Sequence, residues 1–73
     1  MKNNIYIYGN KEKKHLIKQL FIQLGAKDVN HWSFQYEDCI YLLHRGFVAM
    51  KIARYADIDP NQIKTIDEIY EEF

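Results

Sequence analysis

The spacing of apolar and polar positions changes several times along the chain, and each change marks an element. Residues Asn4 to Tyr8 alternate Ile and Tyr, with Ile5 and Ile7 on one face and Tyr6 and Tyr8 on the other. That pattern predicts a strand with both faces at least partly covered, ended by Gly9 and Asn10. From Lys11 to Leu24 the period becomes helical: Leu16, Ile17, Leu20, Phe21 and Leu24 fall on one stripe. Asn10 suits the N-cap of this helix and Gly25 its left-handed stop. Residues 26–38 keep no period. They predict a connection, with room for a short strand, in which Val29, Trp32 and Phe34 anchor the loop to the core.

Two apolar runs follow, Cys39 to His44 and Phe47 to Arg54, separated by Arg45-Gly46. A glycine there supplies the positive φ of a two-residue hairpin turn. Such a turn sets the register, with 43 opposite 48, 41 opposite 50 and 39 opposite 52. Cys39, Tyr41, Leu43, Val48, Met50 and Ile52 then share the expected core face. Ile40, Leu42, His44, Phe47, Ala49 and Lys51 share the other, which is too apolar to be a simple solvent face. Near the end, Asp59-Pro60-Asn61-Gln62 and Thr65 with Glu68 are two alternative helix starts, each an N-cap with a capping-box partner. Ile63, Ile66, Ile69, Tyr70 and Phe73 form the apolar stripe of this last helix.

The predicted fold is therefore α+β, one small domain over residues 1–73, with a three-stranded sheet and two helices in the order β-α-β-β-α. A right-handed crossing through the first helix places the first strand parallel to a hairpin strand. A chain of 73 residues has room for one core only, because a domain this small buries about 60% of the surface its unfolded chain exposes. Six Tyr, four Phe and Trp32 supply that core generously.

Ten basic and ten acidic side chains balance, so no net field draws the whole molecule to nucleic acid or to an anionic membrane. The charges are unevenly placed: Lys2, Lys11, Lys13, Lys14 and Lys18 stand near the start, and Asp57, Asp59, Asp67, Glu68, Glu71 and Glu72 near the end. Attraction between these two ends inside the fold is the expectation. Cys39 is the only cysteine, which excludes an internal disulfide and points to a reducing compartment. There is no signal-peptide pattern and no apolar run of the ~18 residues a membrane span needs, so the expected location is the cytoplasm, without membrane contact.

The residues IYIYGNKEK, a helix ending LGA, Asn30, the hairpin YEDCIYLLHRGFVAMKI and the tail IDEIYEEF resemble a group of small proteins encoded by gut Bacteroidales and their phages. The resemblance spans Ile5 to Phe73 and rests mostly on structural residues. Gly25-Ala26 replaces the Gly-Gly usual in that group, whose hairpin also carries more Tyr and Asp. The resemblance implies a phage or mobile-element accessory protein and carries no catalytic residue.

Candidate chemistry is sparse. Asn10, Lys11, Lys13 and Lys14 open a helix after a strand, where backbone N–H groups and the helix dipole hold anions, but neither phosphate-loop glycine pattern is present. His15, His31, His44 and Cys39 lack the paired spacing of metal sites, and no cofactor motif occurs, so neither a metal nor a cofactor is expected. Glu68, Glu71 and Glu72 read as the charged outer face of a helix, with mimicry of nucleic acid toward a basic partner as their functional alternative. The chain reads as a non-enzyme that binds a protein partner or itself through Ile40, Leu42 and Phe47. The alternative is a DNA-binding helix-turn-helix over residues 49–68, against which stand Asp57 at the usual glycine position, Asp67 and Glu68 in the recognition helix, and zero net charge.

Overall fold

A computed structural model describes residues 5–72; Lys2, Asn4 and Phe73, to which the sequence assigns roles, lie outside the described residues. The elements are β1 (Tyr6–Tyr8), α1 (Lys14–Gln23), β2 (Cys39–His44), β3 (Phe47–Ile52), β4 (Ile63–Lys64) and α2 (Ile66–Glu72). They form a four-stranded sheet in the order β3-β2-β1-β4, so the α+β class holds and the expected strand number does not.

Local rules account for the helix ends. Asn10 is extended (φ −146°) and its side chain accepts from the Glu12 N–H, but the turn it caps, Lys11–Lys13, is 3-10, and α1 begins at Lys14. Gly25 takes φ +83°, and N–H groups donate from Gly25 to the Ile22 carbonyl and from Ala26 to the Phe21 carbonyl. This pair of bonds is a Schellman ending. Of the two expected starts of the last helix, the second is the one that opens it. Asp59 accepts from the Asn61 N–H and caps a 3-10 turn at Pro60–Gln62, the chain then extends as β4, and Thr65 and Glu68 form the capping box of α2.

The hairpin register is as predicted, from Cys39 opposite Ile52 to His44 opposite Phe47. Arg45 and Gly46 both have positive φ, 54° and 86°, as a type I′ turn requires. The first strand departs from expectation. β1 pairs antiparallel with β2, and its parallel neighbour is β4, whose Ile63 the sequence pattern places on the apolar stripe of the last helix. After α1 the chain crosses back over the same face, through a 3-10 turn at Val29–His31 and no strand, and enters β2 at the end of the sheet where β1 leaves it. Residues 49–68 do not form a helix-turn-helix: they hold the end of β3, two 3-10 turns, β4 and the first residues of α2.

One face of the sheet carries the core. Ile7, Tyr41 and Val48 pack with Ile17, Leu20 and Phe21 of α1, Val29 and Phe34 of the loop, and Ile66 and Ile69 of α2. Phe34 lies between Phe21 (ring centroids 5.5 Å) and Tyr41 (5.1 Å), packing that holds its backbone at φ +56°, a left-handed conformation rare for a bulky residue. The expected core face is truncated: Met50 and Ile52, toward the end of β3, are exposed, because the helices and loop cover β1, β2 and only the start of the edge strand. The opposite face is also not open. Ile40 and Leu42, expected at a free surface, are 1% and 7% exposed. The connection 53–62 passes from β3 at one edge to β4 at the other, across a sheet whose helix side already holds the core.

Candidate protein-contact surface

The topology leaves β3 as a six-residue edge strand. Its two-residue turn makes His44 and Phe47 a hydrogen-bonded pair, so Phe47, Ala49 and Lys51 direct their backbone groups to β2 and Val48, Met50 and Ile52 direct theirs outward. Two bonds agree with this phase. The Ala53 N–H donates inward to the Asp38 carbonyl at 3.0 Å, and the Val48 N–H donates outward to Asp28 Oδ1 at 2.8 Å.

Asp28 closes the first part of the edge. Its second oxygen accepts from Trp32 Nε1 at 3.1 Å, and the adjacent Lys27 N–H donates to the Gly46 carbonyl at 2.9 Å. The Val48 bond holds the Asp28 carboxyl below its usual range against the opposing effect of burial, with the Trp32 bond adding a further lowering. Beyond Asp28 the outward groups of Met50 and Ile52 face away from the sheet. Around them lie exposed apolar side chains: Phe47 (49%), Met50 (37%), Ile52 (48%) and Tyr55 (74%). Tyr8, Leu16, Ile22 and Tyr36 are also exposed, but on other elements.

The same stretch is basic. Residues 39–56 contain His44, Arg45, Lys51 and Arg54 and no acidic residue. The Arg54 guanidinium lies 5.0 Å from the Tyr55 ring centroid, and Lys27 Nζ lies 5.6 Å from that of Phe47. Both contacts keep a cation beside an exposed ring, a favourable arrangement of about 0.5–1 kcal/mol at the surface.

The residues singled out from sequence are dispersed. Of Ile40, Leu42 and Phe47, only Phe47 is accessible. At the start of α1 the candidate anion donors are met from within the chain: Asn10 Oδ1 accepts from Glu12 N–H, Lys11 N–H faces Glu37 Oε2 at 3.4 Å, and Lys13 Nζ pairs with Asp67 at 3.1 Å. Lys14 is half-buried there without completing a cluster. The Lys13–Asp67 pair joins the basic start to the acidic end, as the charge distribution predicts, and Lys64 pairs with Glu72. Glu68 is structural: it accepts from the Thr65 N–H (2.9 Å) and hydroxyl (3.2 Å), and these bonds lower its pKa. Glu71 is exposed on the outer side of α2.

Cys39 is buried, with its thiol 3.1 Å from the Tyr36 carbonyl, and burial raises its pKa, which disfavours the thiolate. Burial likewise raises the pKa of Tyr41, whose hydroxyl accepts from the Tyr36 N–H at 3.2 Å. His15, His31 and His44 are exposed on three separate elements. Among the described residues no group of three or more His, Cys, Asp or Glu side chains is placed to hold a metal ion, and no helix is long and apolar enough to cross a membrane.

Met50, Ile52, Arg54, Tyr55 and Lys27 are not marked by the sequence pattern as contact residues, and Lys51 is marked only by its place on the non-core face of the hairpin. The one signal available was the acid-free stretch 39–56 in a chain of balanced charge. Comparison with known proteins finds no matching family model, no matching curated protein and no matching solved structure.

Proposed function

We propose that this chain is a non-catalytic binding module that acts by protein contact through the edge of β3, as an accessory or inhibitor protein of a phage or mobile element. The observation that carries the contact reading is the exposure of Phe47 on one face and of Met50 and Ile52 on the other face of a strand whose outer edge is open beyond Val48, with exposed Tyr55 in the 3-10 turn that follows. A long apolar edge is a template for pairing with another chain, and folds without such a role usually shorten, twist or cover it. The accessory role is supported by the sequence resemblance to proteins of gut Bacteroidales and their phages. In-cell photo-crosslinking from a benzoylphenylalanine at position 55 tests the contact. A discrete adduct with one protein, lost on adding Ile52→Lys, is the expected result. Absence of any discrete adduct from position 55 overturns the reading.

A further inference from the structure

Resting on that reading, we infer that the occupant of the β3 edge is an extended segment of a partner protein in which acidic and apolar side chains alternate, added to the sheet as a fifth strand. Three features of the edge select it. The outward backbone groups of Met50 and Ile52 fit a strand and not a helix, since only an extended chain presents donors and acceptors at the matching spacing. Neighbouring side chains on adjacent strands meet on the same face, so the partner's residues fall alternately beside two different environments. On the helix-bearing face these are Met50 and Ile52, both exposed and apolar. On the other face they are Lys51 and Phe47, with the Lys27 ammonium 5.6 Å from the Phe47 ring centroid.

Charge decides between a foreign strand and a second copy. Two β3 edges brought together would join two segments that each carry Arg45, Lys51 and Arg54 with no acidic residue among them. Like charges across paired strands are destabilising, and a lysine on an edge strand is a common guard against self-pairing. A partner with acidic side chains on the Lys51 face converts that repulsion to attraction. The chain already places one carboxylate on this edge: Asp28 accepts from the outward Val48 N–H at 2.8 Å.

Titration of the full isotope-labelled chain with a short synthetic peptide alternating Glu and Val, and with its Lys/Val counterpart, tests the inference. The Glu/Val peptide should shift the amide signals of Met50 and Ile52, bind at least about tenfold more tightly than the Lys/Val peptide, and weaken with salt. Lys51→Glu should cost about tenfold in that affinity. Met50→Pro should abolish binding while retaining the Ile7 and Tyr41 signals, because the N–H it removes faces outward; if it fails to fold, Lys51→Glu at an exposed site carries the test. Equal binding of both peptides, shifts at Lys11–Lys14 in place of β3, or no shift with either overturns the inference. So does a concentration-dependent dimer lost in Ile52→Lys, which would assign the edge to a second copy. A discrete adduct from position 55 with an inert Glu/Val peptide would sink the acidic strand and spare the contact reading; silence in both experiments removes both.

Discussion

At one edge of the sheet β4 offers only Ile63 and Lys64, held between the Pro60–Gln62 turn and the capping box of α2, and Lys64 is engaged with Glu72. At the other edge β3 offers six residues, of which, among the described residues, only the first outward N–H, that of Val48, is occupied by a side chain. Both are edges of one sheet, yet the first is protected by brevity and by the helix that follows, whereas the second is long, apolar and basic. A strand edge left unprotected in a domain otherwise well closed is a place to look for function. The contrast also shows that the apolar face of the hairpin was a poor guide to the contact surface, because Ile40 and Leu42 are buried while Phe47, Met50 and Ile52 on β3 are exposed.

The largest expected effect comes from breaking the frame that carries both edges. Gly9 donates its N–H to the Cys39 carbonyl between β1 and β2, and a Cβ built on it would lie 1.8 Å from the Tyr36 carbonyl oxygen. Since the atom met is backbone, no side chain can swing away. Gly9→Ala should destabilise the domain by on the order of 4 kcal/mol, more than an ordinary overpacked core site. Urea unfolding measures it, and a change below about 1 kcal/mol would contradict the close approach.

A smaller effect is expected where β3 is partly closed. Asp28 accepts two N–H groups on two oxygens, and Asn has only one such oxygen, so Asp28→Asn leaves either Val48 or Trp32 without its acceptor. The expected cost is about 1.5 kcal/mol. Its pH dependence has a definite sign. The native Asp28 pKa is depressed, chiefly by the Val48 N–H. Its contribution is therefore fully present above the unfolded value of about 3.9 and is lost as pH falls through the native value. The gap between the two proteins should be constant from neutral pH down to about pH 5 and narrow below about pH 4; a gap that widens in acid would exclude this role.

The smallest effect concerns the turn that sets the phase of β3. Arg45 sits at φ +54°, where a residue with a long side chain is disfavoured and Asn is tolerated. Arg45→Asn should raise stability by about 0.5 kcal/mol, and by removing one of the cations at the edge it should slightly weaken capture of an acidic strand. Thermal unfolding and the peptide titration read the two effects separately. A loss of stability would show that the arginine side chain contributes contacts that outweigh its backbone strain.

Much of the fold is legible in the sequence wherever the deciding contacts are local. Asn10, Gly25 and the pair Thr65 and Glu68 act within a few residues of themselves, so the stop of the first helix could be read directly, while Asn10 caps a 3-10 turn ahead of α1 and Thr65 was one of two starts open for α2. The hairpin register followed from Arg45-Gly46 for the same reason: a two-residue turn leaves no freedom in which residues face each other. The contact surface was legible only in part. Phe47 was singled out and is exposed, but Met50 and Ile52 were assigned to the core because their alternation matched that of Tyr41 and Val48. Alternation says which side chains share a face, and it is silent on how far along a strand the covering layer extends.

What the sequence determined by itself, then, was the α+β class, the two helices with the glycine stop of the first, and the pairing of β2 with β3, all of which depend on residues close along the chain. Tertiary structure alone decided that β1 runs antiparallel to β2, that Ile63 and Lys64 become a fourth strand, that Gly9 must lack a side chain beside Tyr36, and that Ile40 is covered while Ile52 is not. Each of these turns on a meeting of segments far apart in sequence, where many arrangements satisfy the local preferences and packing selects one.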